Sequence, residues 1–223
     1  MPYIIPKIAR EYNMRMRKKR HGAERIAACS EYFITNPSEY NSFPAELEIG
    51  CGKGAFILGC AKRYPDRNFV AMEKISDVIL LAAEKLKAEN IQNVRLINAD
   101  ASRLQEFFPD GSVSRIYLNF SDPWPKKGYY KRRLTYRGFL EIYKKLLAPG
   151  GEIILKTDNE GLFDFSLEEF TASGFELFGL TRDLHASEYA ADNIMTEYEK
   201  NFSEKGFKIH RVVARPTEKT ENE

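Results

Sequence analysis

The sequence predicts an α/β fold: a mostly parallel sheet of seven strands, helices on both faces, and an antiparallel last strand. Three observations carry that prediction. Short apolar runs alternate with helical stripes from Ala45 to Phe170, a glycine-rich turn follows the first run, and acids recur where runs end, at Glu48, Glu73, Asp100, Asp122 and Asp158. Strands alternating with helices imply βαβ units and a parallel sheet. Ligands of such sheets sit beyond the carboxyl ends of the strands, so these acids are the residues to examine.

The elements follow in order. Residues 1–20 read as an irregular basic arm, His21 to Thr35 as a helix stopped before Asn36-Pro37, and Asn36 to Pro44 as a loop. Glu46 to Gly50 is the first strand; Ile57, Cys60, Ala61 and Tyr64 recur at helical spacing behind it. Asn68 to Glu73 is the second strand, and Ile75, Val78, Ile79, Ala82 and Leu86 stripe the next helix. Val94 to Asp100, Arg115 to Phe120 and Glu152 to Thr157 are further strands. Phe139, Ile142, Tyr143 and Leu146 mark a helix closed by Pro149-Gly150-Gly151, and Phe163, Leu167 and Phe170 mark another. Phe175 to Arg182 and Phe207 to Arg215 close the sheet; with no crossover helix evident between them, they should pair antiparallel. The expected division is a basic arm and helix over 1–44, one domain over 45–216, and a disordered polar tail over 217–223.

The 223 residues, 43% hydrophobic and 30% charged, have the composition of a soluble globular protein. No apolar run approaches the roughly 18 residues of a membrane span, and the basic start lacks the apolar core of a signal peptide. Three cysteines without metal-ligand spacing suit the reducing cytoplasm and argue against a metal site. The net charge of +2 is uneven. Lys7 to Arg25 carries eight Lys/Arg against two Asp/Glu, and Lys126 to Arg137 carries six Lys/Arg and no acid. Two basic patches on an acidic body read as a polyanion-binding face, or more blandly as solvated surface; beside Trp124 they favour nucleic acid.

Glu48-Ile49-Gly50-Cys51-Gly52-Lys53-Gly54 joins the first strand to its helix. Gly50 and Gly52 allow a sharp turn and close approach of a ligand, although a glycine-rich turn alone is a weak sign. Glu73, 19 residues after Gly54, stands where an acid accepts from ribose hydroxyls. The spacing is G-x-G-x-G with an acid before it, unlike the G-x-G-x-x-G that cradles pyrophosphate. A carboxylate there repels phosphate and suits a cationic amino group. S-adenosylmethionine, with an amino acid, a sulfonium and an adenosine, fits. Asp100 can accept from the adenine amine or cap the helix after it.

The run Asn119-Phe120-Ser121-Asp122-Pro123-Trp124-Pro125-Lys126-Lys127 ends the fourth strand on a carboxylate, and its prolines force the chain out of the sheet. Asp122-Pro123-Trp124 resembles the D-P-P-Y type motif of exocyclic-amine methyltransferases, except that the second proline follows the aromatic. Trp124 either stacks on a base or wedges the loop. Guanine offers N1–H and N2–H2 on one edge; Glu199 or Asp158 could accept both and leave N7 free on the other. For Glu197 and Glu199 a charged helix face reads as well. N7 carries no proton, so its methylation needs no general base, and Asp122 would stabilise the charge developing on the purine.

Together, Glu48-x-Gly-x-Gly-x-Gly, the Asn119–Lys127 run, Lys131-Arg132-Arg133-Leu134-Thr135, Lys156-Thr157-Asp158-Asn159 and Asn193-Ile194-Met195-Thr196-Glu197-Tyr198-Glu199 resemble the bacterial tRNA (guanine-N7-)-methyltransferase family from about Met14 to Pro216. The resemblance implies a Rossmann-like class I methyltransferase fold and methylation of the variable-loop guanine of tRNA, position 46 in tRNA numbering. It implies cofactor contacts at Glu48, Glu73, Asp100 and Asp122, and substrate contacts at Lys126, Asp158, Thr196, Glu197, Tyr198 and Glu199. Lys127, Lys131, Arg132 and Arg133 are the expected RNA contacts. Gly128-Tyr129-Tyr130 departs from the Arg-His usual after the lysine pair, losing charge and gaining stacking surface. A base amino-methyltransferase and a non-catalytic RNA-binding subunit are the alternatives; the intact glycine loop argues against the second. Both a monomer and a homodimer fit the sequence.

Overall fold

A computed structural model describes residues 20–37 and 44–217. The predicted arm up to residue 19, the centre of the Asn36–Pro44 loop and the tail beyond Thr217 lie outside the described residues. The strands are β1 (Ala45–Ile49), β2 (Phe69–Met72), β3 (Val94–Ile97), β4 (Val113–Asn119), β5 (Leu147–Thr157), β6 (Phe175–Thr181) and β7 (His210–Pro216). They form one sheet in the order β3-β2-β1-β4-β5-β7-β6. β1 to β5 pair in parallel, and β7 runs antiparallel between β5 and β6. Strand order reverses between β1 and β4, where an open α/β sheet places its ligand crevice.

The helices are α1 (Gly22–Ala27), α2 (Ala55–Arg63), α3 (Ser76–Ala88), α4 (Leu104–Phe107), α5 (Arg137–Leu146), α6 (Glu160–Ala172) and α7 (Glu197–Ser203). Three elements differ from the sequence reading. The helix expected over His21 to Thr35 is only α1 and a 3-10 turn at Ser30–Tyr32. Phe33 then bridges Leu96 in parallel, and the Ile34 N–H donates to the Leu96 carbonyl at 2.9 Å. The otherwise unpaired edge of β3 offers that partner and outbids continued helix. β5 begins at Leu147 beside Val113, bulges through Pro149-Gly150-Gly151, and resumes pairing at Arg115 with Glu152. Between β6 and β7 lies α7, a helix too short and too polar to read from periodicity.

Alternation along the central strands divides the core. Leu47, Ile116, Leu118, Ile153 and Leu155 point to the face covered by α5 and α6, all fully buried; each contributes roughly 1.5–3 kcal/mol by leaving water. The other face packs α2 and α3 through Ile57, Cys60, Phe69, Ile79 and Ala82. At its centre that face is polar: Glu46 and Glu48 on β1, Arg115, Tyr117 and Asn119 on β4, and Glu152 and Lys156 on β5. Tyr117 donates to Glu46 Oε2 at 2.5 Å, and Arg115 pairs with Glu152 at 2.6 Å. Toward the carboxyl ends of the strands this stripe becomes the floor of a cavity.

Candidate active site

Gly50 and Gly52 adopt φ of 81° and 56°, and a Cβ on either would meet nothing within 4 Å, so the turn leaves its upper side open. The Gly50 and Cys51 N–H groups both donate to the Met72 carbonyl, tying the loop to β2. Below it Glu48 is 1% exposed. Its Oε1 accepts from Asn119 Nδ2 at 3.0 Å; its Oε2 has no partner, and neither has Asn119 Oδ1. Burial pushes the Glu48 carboxyl up to about 7, against the pull of Asn119 and Lys156. Two buried acceptors without donors are costly unless a ligand brings N–H groups to them.

Glu48, Gly50, Gly52, Phe56, Asn119 and Phe120 line a cavity of about 260 Å³, closed on the far side by Thr196, Glu197, Tyr198 and Asn201. Glu73 lies beside the same loop: its Oε2 accepts from the Gly52 N–H at 3.3 Å and its Oε1 from the Ile75 N–H at 2.9 Å. Asp100 is exposed and caps the following turn by accepting from the Ser102 N–H at 3.0 Å, which holds its carboxyl below the usual range. One oxygen suffices for the cap, so the capping reading and the ligand reading coexist.

Asp122 is exposed and has no hydrogen bond or ion pair among the described residues. The residues two before and two after it, Phe120 and Trp124, hold φ of 53° and 40°. Positive φ costs bulky side chains of order 1–3 kcal/mol each, and such strain collects at functional sites. Arg133 fixes the loop: its Nε donates to the Pro123 carbonyl at 2.8 Å and its Nη2 to that of Trp124 at 3.3 Å, while the guanidinium covers Phe165. Trp124 faces Tyr129 edge-on, with the Arg132 guanidinium 4.9 Å from its ring.

The Thr196–Glu199 segment is built from inside. Thr196 caps α7 by accepting from the Glu199 N–H at 2.8 Å. The Glu199 side chain, fully buried, accepts from Lys156 Nζ at 2.7 Å and Asn193 Nδ2 at 2.5 Å. Lys156 also donates to Asn193 Oδ1 and to the Ile194 carbonyl. Burial holds this lysine below its usual range although Glu199 pulls the other way. Tyr198 stacks on Phe202 at 4.1 Å and donates to Asp158 Oδ2 at 3.4 Å. Burial raises the Asp158 carboxyl. Glu197 pairs with Lys53 and Lys85 across the cavity mouth.

The family model described as "Putative methyltransferase" matches residues 42–212. A tRNA (guanine-N(7)-)-methyltransferase of Brevibacillus brevis is 50% identical over 204 residues, covering 86% of this chain and 94% of the relative. The chain belongs to the tRNA (guanine-N(7)-)-methyltransferase family. A second member, from Geobacillus sp. strain WCH70, is 46% identical over 89% of this chain and 94% of its own. The fold is also that of the 16S rRNA methyltransferase KamB, with a TM-score of 0.60 at 15% identity over 82% of this chain and 91% of the other.

In this tRNA (guanine-N(7)-)-methyltransferase family member the expected residues divide. Glu48, Gly50, Gly52, Thr196, Glu197 and Tyr198 meet at the cavity, whereas Asp100, Asp122, Lys126 and Asp158 stand outside its wall. Glu199 is turned away from it, so of the two acids considered for gripping guanine only Asp158 keeps a partly exposed carboxylate. Lys127, Lys131 and Arg132 are exposed on a 3-10 turn, but Arg133 is spent on the loop carbonyls. Asn119 and Lys156, given no role from sequence, hold the floor and the far wall. Their signal was position alone, since each pairs with its neighbour at the carboxyl end of a central strand. Among the described residues no helix is long and apolar enough to cross a membrane, and no three His, Cys, Asp or Glu group as metal ligands.

Proposed function

We propose that the chain transfers a methyl group from S-adenosylmethionine to N7 of guanine in the variable loop of tRNA, and that it works in the cytoplasm. The observation that carries this reading is the pair of partnerless buried acceptors, Glu48 Oε2 and Asn119 Oδ1, at the floor of a cavity beside the Asp122 loop. They fit the ammonium of an amino acid, and the open side of Gly50 and Gly52 fits a ligand lying against the main chain. Glu73 and Asp100 each keep acceptor capacity for ribose and adenine. When bound, S-adenosylmethionine supplies an electrophilic methyl group on a sulfonium.

The remaining work falls to this chain. The N7 lone pair lies in the purine plane and carries no proton, so no residue need act as a base. Positive charge would pass to the purine as the N7–carbon bond forms and the sulfur–methyl bond breaks, releasing a neutral thioether, and the Asp122 carboxylate would stabilise that charge. Asp158 accepts from the Watson–Crick edge of guanine, while Thr196 and Tyr198 wall the approach, held by Lys156 through Glu199. Lys126, Lys127, Lys131 and Arg132 attract the phosphate backbone. Residues 45–216 make up the methyl-transfer unit, a division supported by the family match over 42–212.

Incubation with unmodified tRNA transcript and S-adenosylmethionine, followed by nucleoside mass spectrometry, tests the reading. 7-Methylguanosine is expected; a methyl group on an exocyclic amine, or on no base, overturns it.

A further inference from the structure

We propose that Tyr129, Tyr130 and Arg132 form a stacking platform for an unpaired base of the tRNA, beside and distinct from the pocket for the base that is methylated. The inference rests on the proposed action on tRNA. Tyr129 and Tyr130 are 42% and 40% exposed, the only tyrosines among the large hydrophobic side chains exposed in the described residues, and they are neighbours. Neither lies loosely on the surface. Tyr129 meets the Trp124 ring edge-on at 6.0 Å and carries the Arg132 guanidinium 4.7 Å from its centroid; Tyr130 sits edge-on to Tyr136 at 5.5 Å. Packing by the edge fixes each ring's direction while leaving aromatic surface in water.

The surroundings select the occupant. From Asp122 to Glu141 no acid intervenes, and Lys126, Lys127, Lys131 and Arg132 are all exposed there. Fixed aromatic rings among cations match a polyanion with flat bases, as in single-stranded RNA recognition. Arg132 can stack its guanidinium and contact phosphate together. Trp124 is two residues from Asp122, at most about 7 Å along the chain, so the platform adjoins the loop on which the target guanine is held. A nucleotide flanking that guanine is therefore the occupant.

Stacking and phosphate contact differ in salt dependence, which makes the proposal testable with the full chain and an unmodified tRNA transcript. Tyr129→Ala and Tyr130→Ala should each weaken binding about tenfold, with the slope of log K against log salt unchanged. Tyr129→Phe should bind as wild type, because the ring is retained. Lys131→Ala should instead reduce the slope by about one. Unchanged affinity in both alanine variants overturns the platform. So does a flattened slope, which would mean that the tyrosines merely place Arg132, or a change in sedimentation of the free protein, which would mark a contact between copies. Absence of 7-methylguanosine with the wild-type chain is a separate result and bears on the proposed function.

Discussion

Asn119 Nδ2 holds one carboxylate oxygen of Glu48 at 3.0 Å and leaves the other, equally buried, without a donor. A carboxyl in that position keeps its proton until about pH 7, against an ordinary value of 4.5. The folded protein thus binds this proton more tightly than the unfolded chain does. The stabilisation is complete below pH 4.5 and is lost as pH rises through about 7, an effect of about 3 kcal/mol. Glu48→Gln should therefore gain on wild type in urea unfolding between pH 5.5 and pH 8. Affinity for S-adenosylmethionine should rise over the same interval in wild type and stay level in the variant. Parallel stability profiles for the two proteins would remove Glu48 from this role.

Asp122→Ala should lower methyl transfer by about 10²–10³ while tRNA affinity and melting temperature stay close to wild type, because the side chain is exposed. Single-turnover rates together with filter binding measure both. Turnover near wild type would assign charge stabilisation elsewhere.

Arg133 lies two residues from Lys131 but turns its guanidinium to the loop carbonyls. Arg133→Ala frees the Pro123 and Trp124 carbonyls and should cut turnover roughly tenfold, the scale of one lost charged hydrogen bond, with little change in the salt slope of tRNA binding. A slope reduced as much as in Lys131→Ala would place its guanidinium on phosphate.

Lys156→Met leaves Glu199 buried without its cation and should destabilise the fold by about 3–5 kcal/mol. Adding Glu199→Leu should restore much of that loss, since the one charge left uncompensated disappears. Urea midpoints of the single and double variants decide it; equal losses would show that the pair is not coupled.

The strand pattern, the glycine turn and the strand-end acids were readable because each depends on local spacing, and the sheet realises them in that order. Glu46 and Lys156 were not. Alternation marks them as opposite to Leu47 and Leu155, which in a one-sided sheet would mean facing water. Here α2 and α3 cover that face, and only tertiary structure shows that they are buried and paired. The direction of the Glu199 side chain was unreadable for a related reason. Thr196-Glu197-Tyr198-Glu199 begins a helix whose two acids point opposite ways, Glu197 to surface lysines and Glu199 to the interior. Arg133 looked like one of a run of equal cations, and nothing local distinguishes the one that turns inward.

The position of β7 has a consequence for how the molecule is assembled. β6 is joined to the sheet solely through β7, although β7 comes last in the chain. Residues 175–181 can emerge and find no strand to zip against until residues 210–216 are made. The stretch between them carries Asn193 and Thr196 to Glu199, so the far wall of the cavity hangs from two strands that dock together at the end. The glycine turn and Asp122 lie in the part built earlier, and synthesis thus delivers the floor of the cavity first and its enclosing wall afterwards.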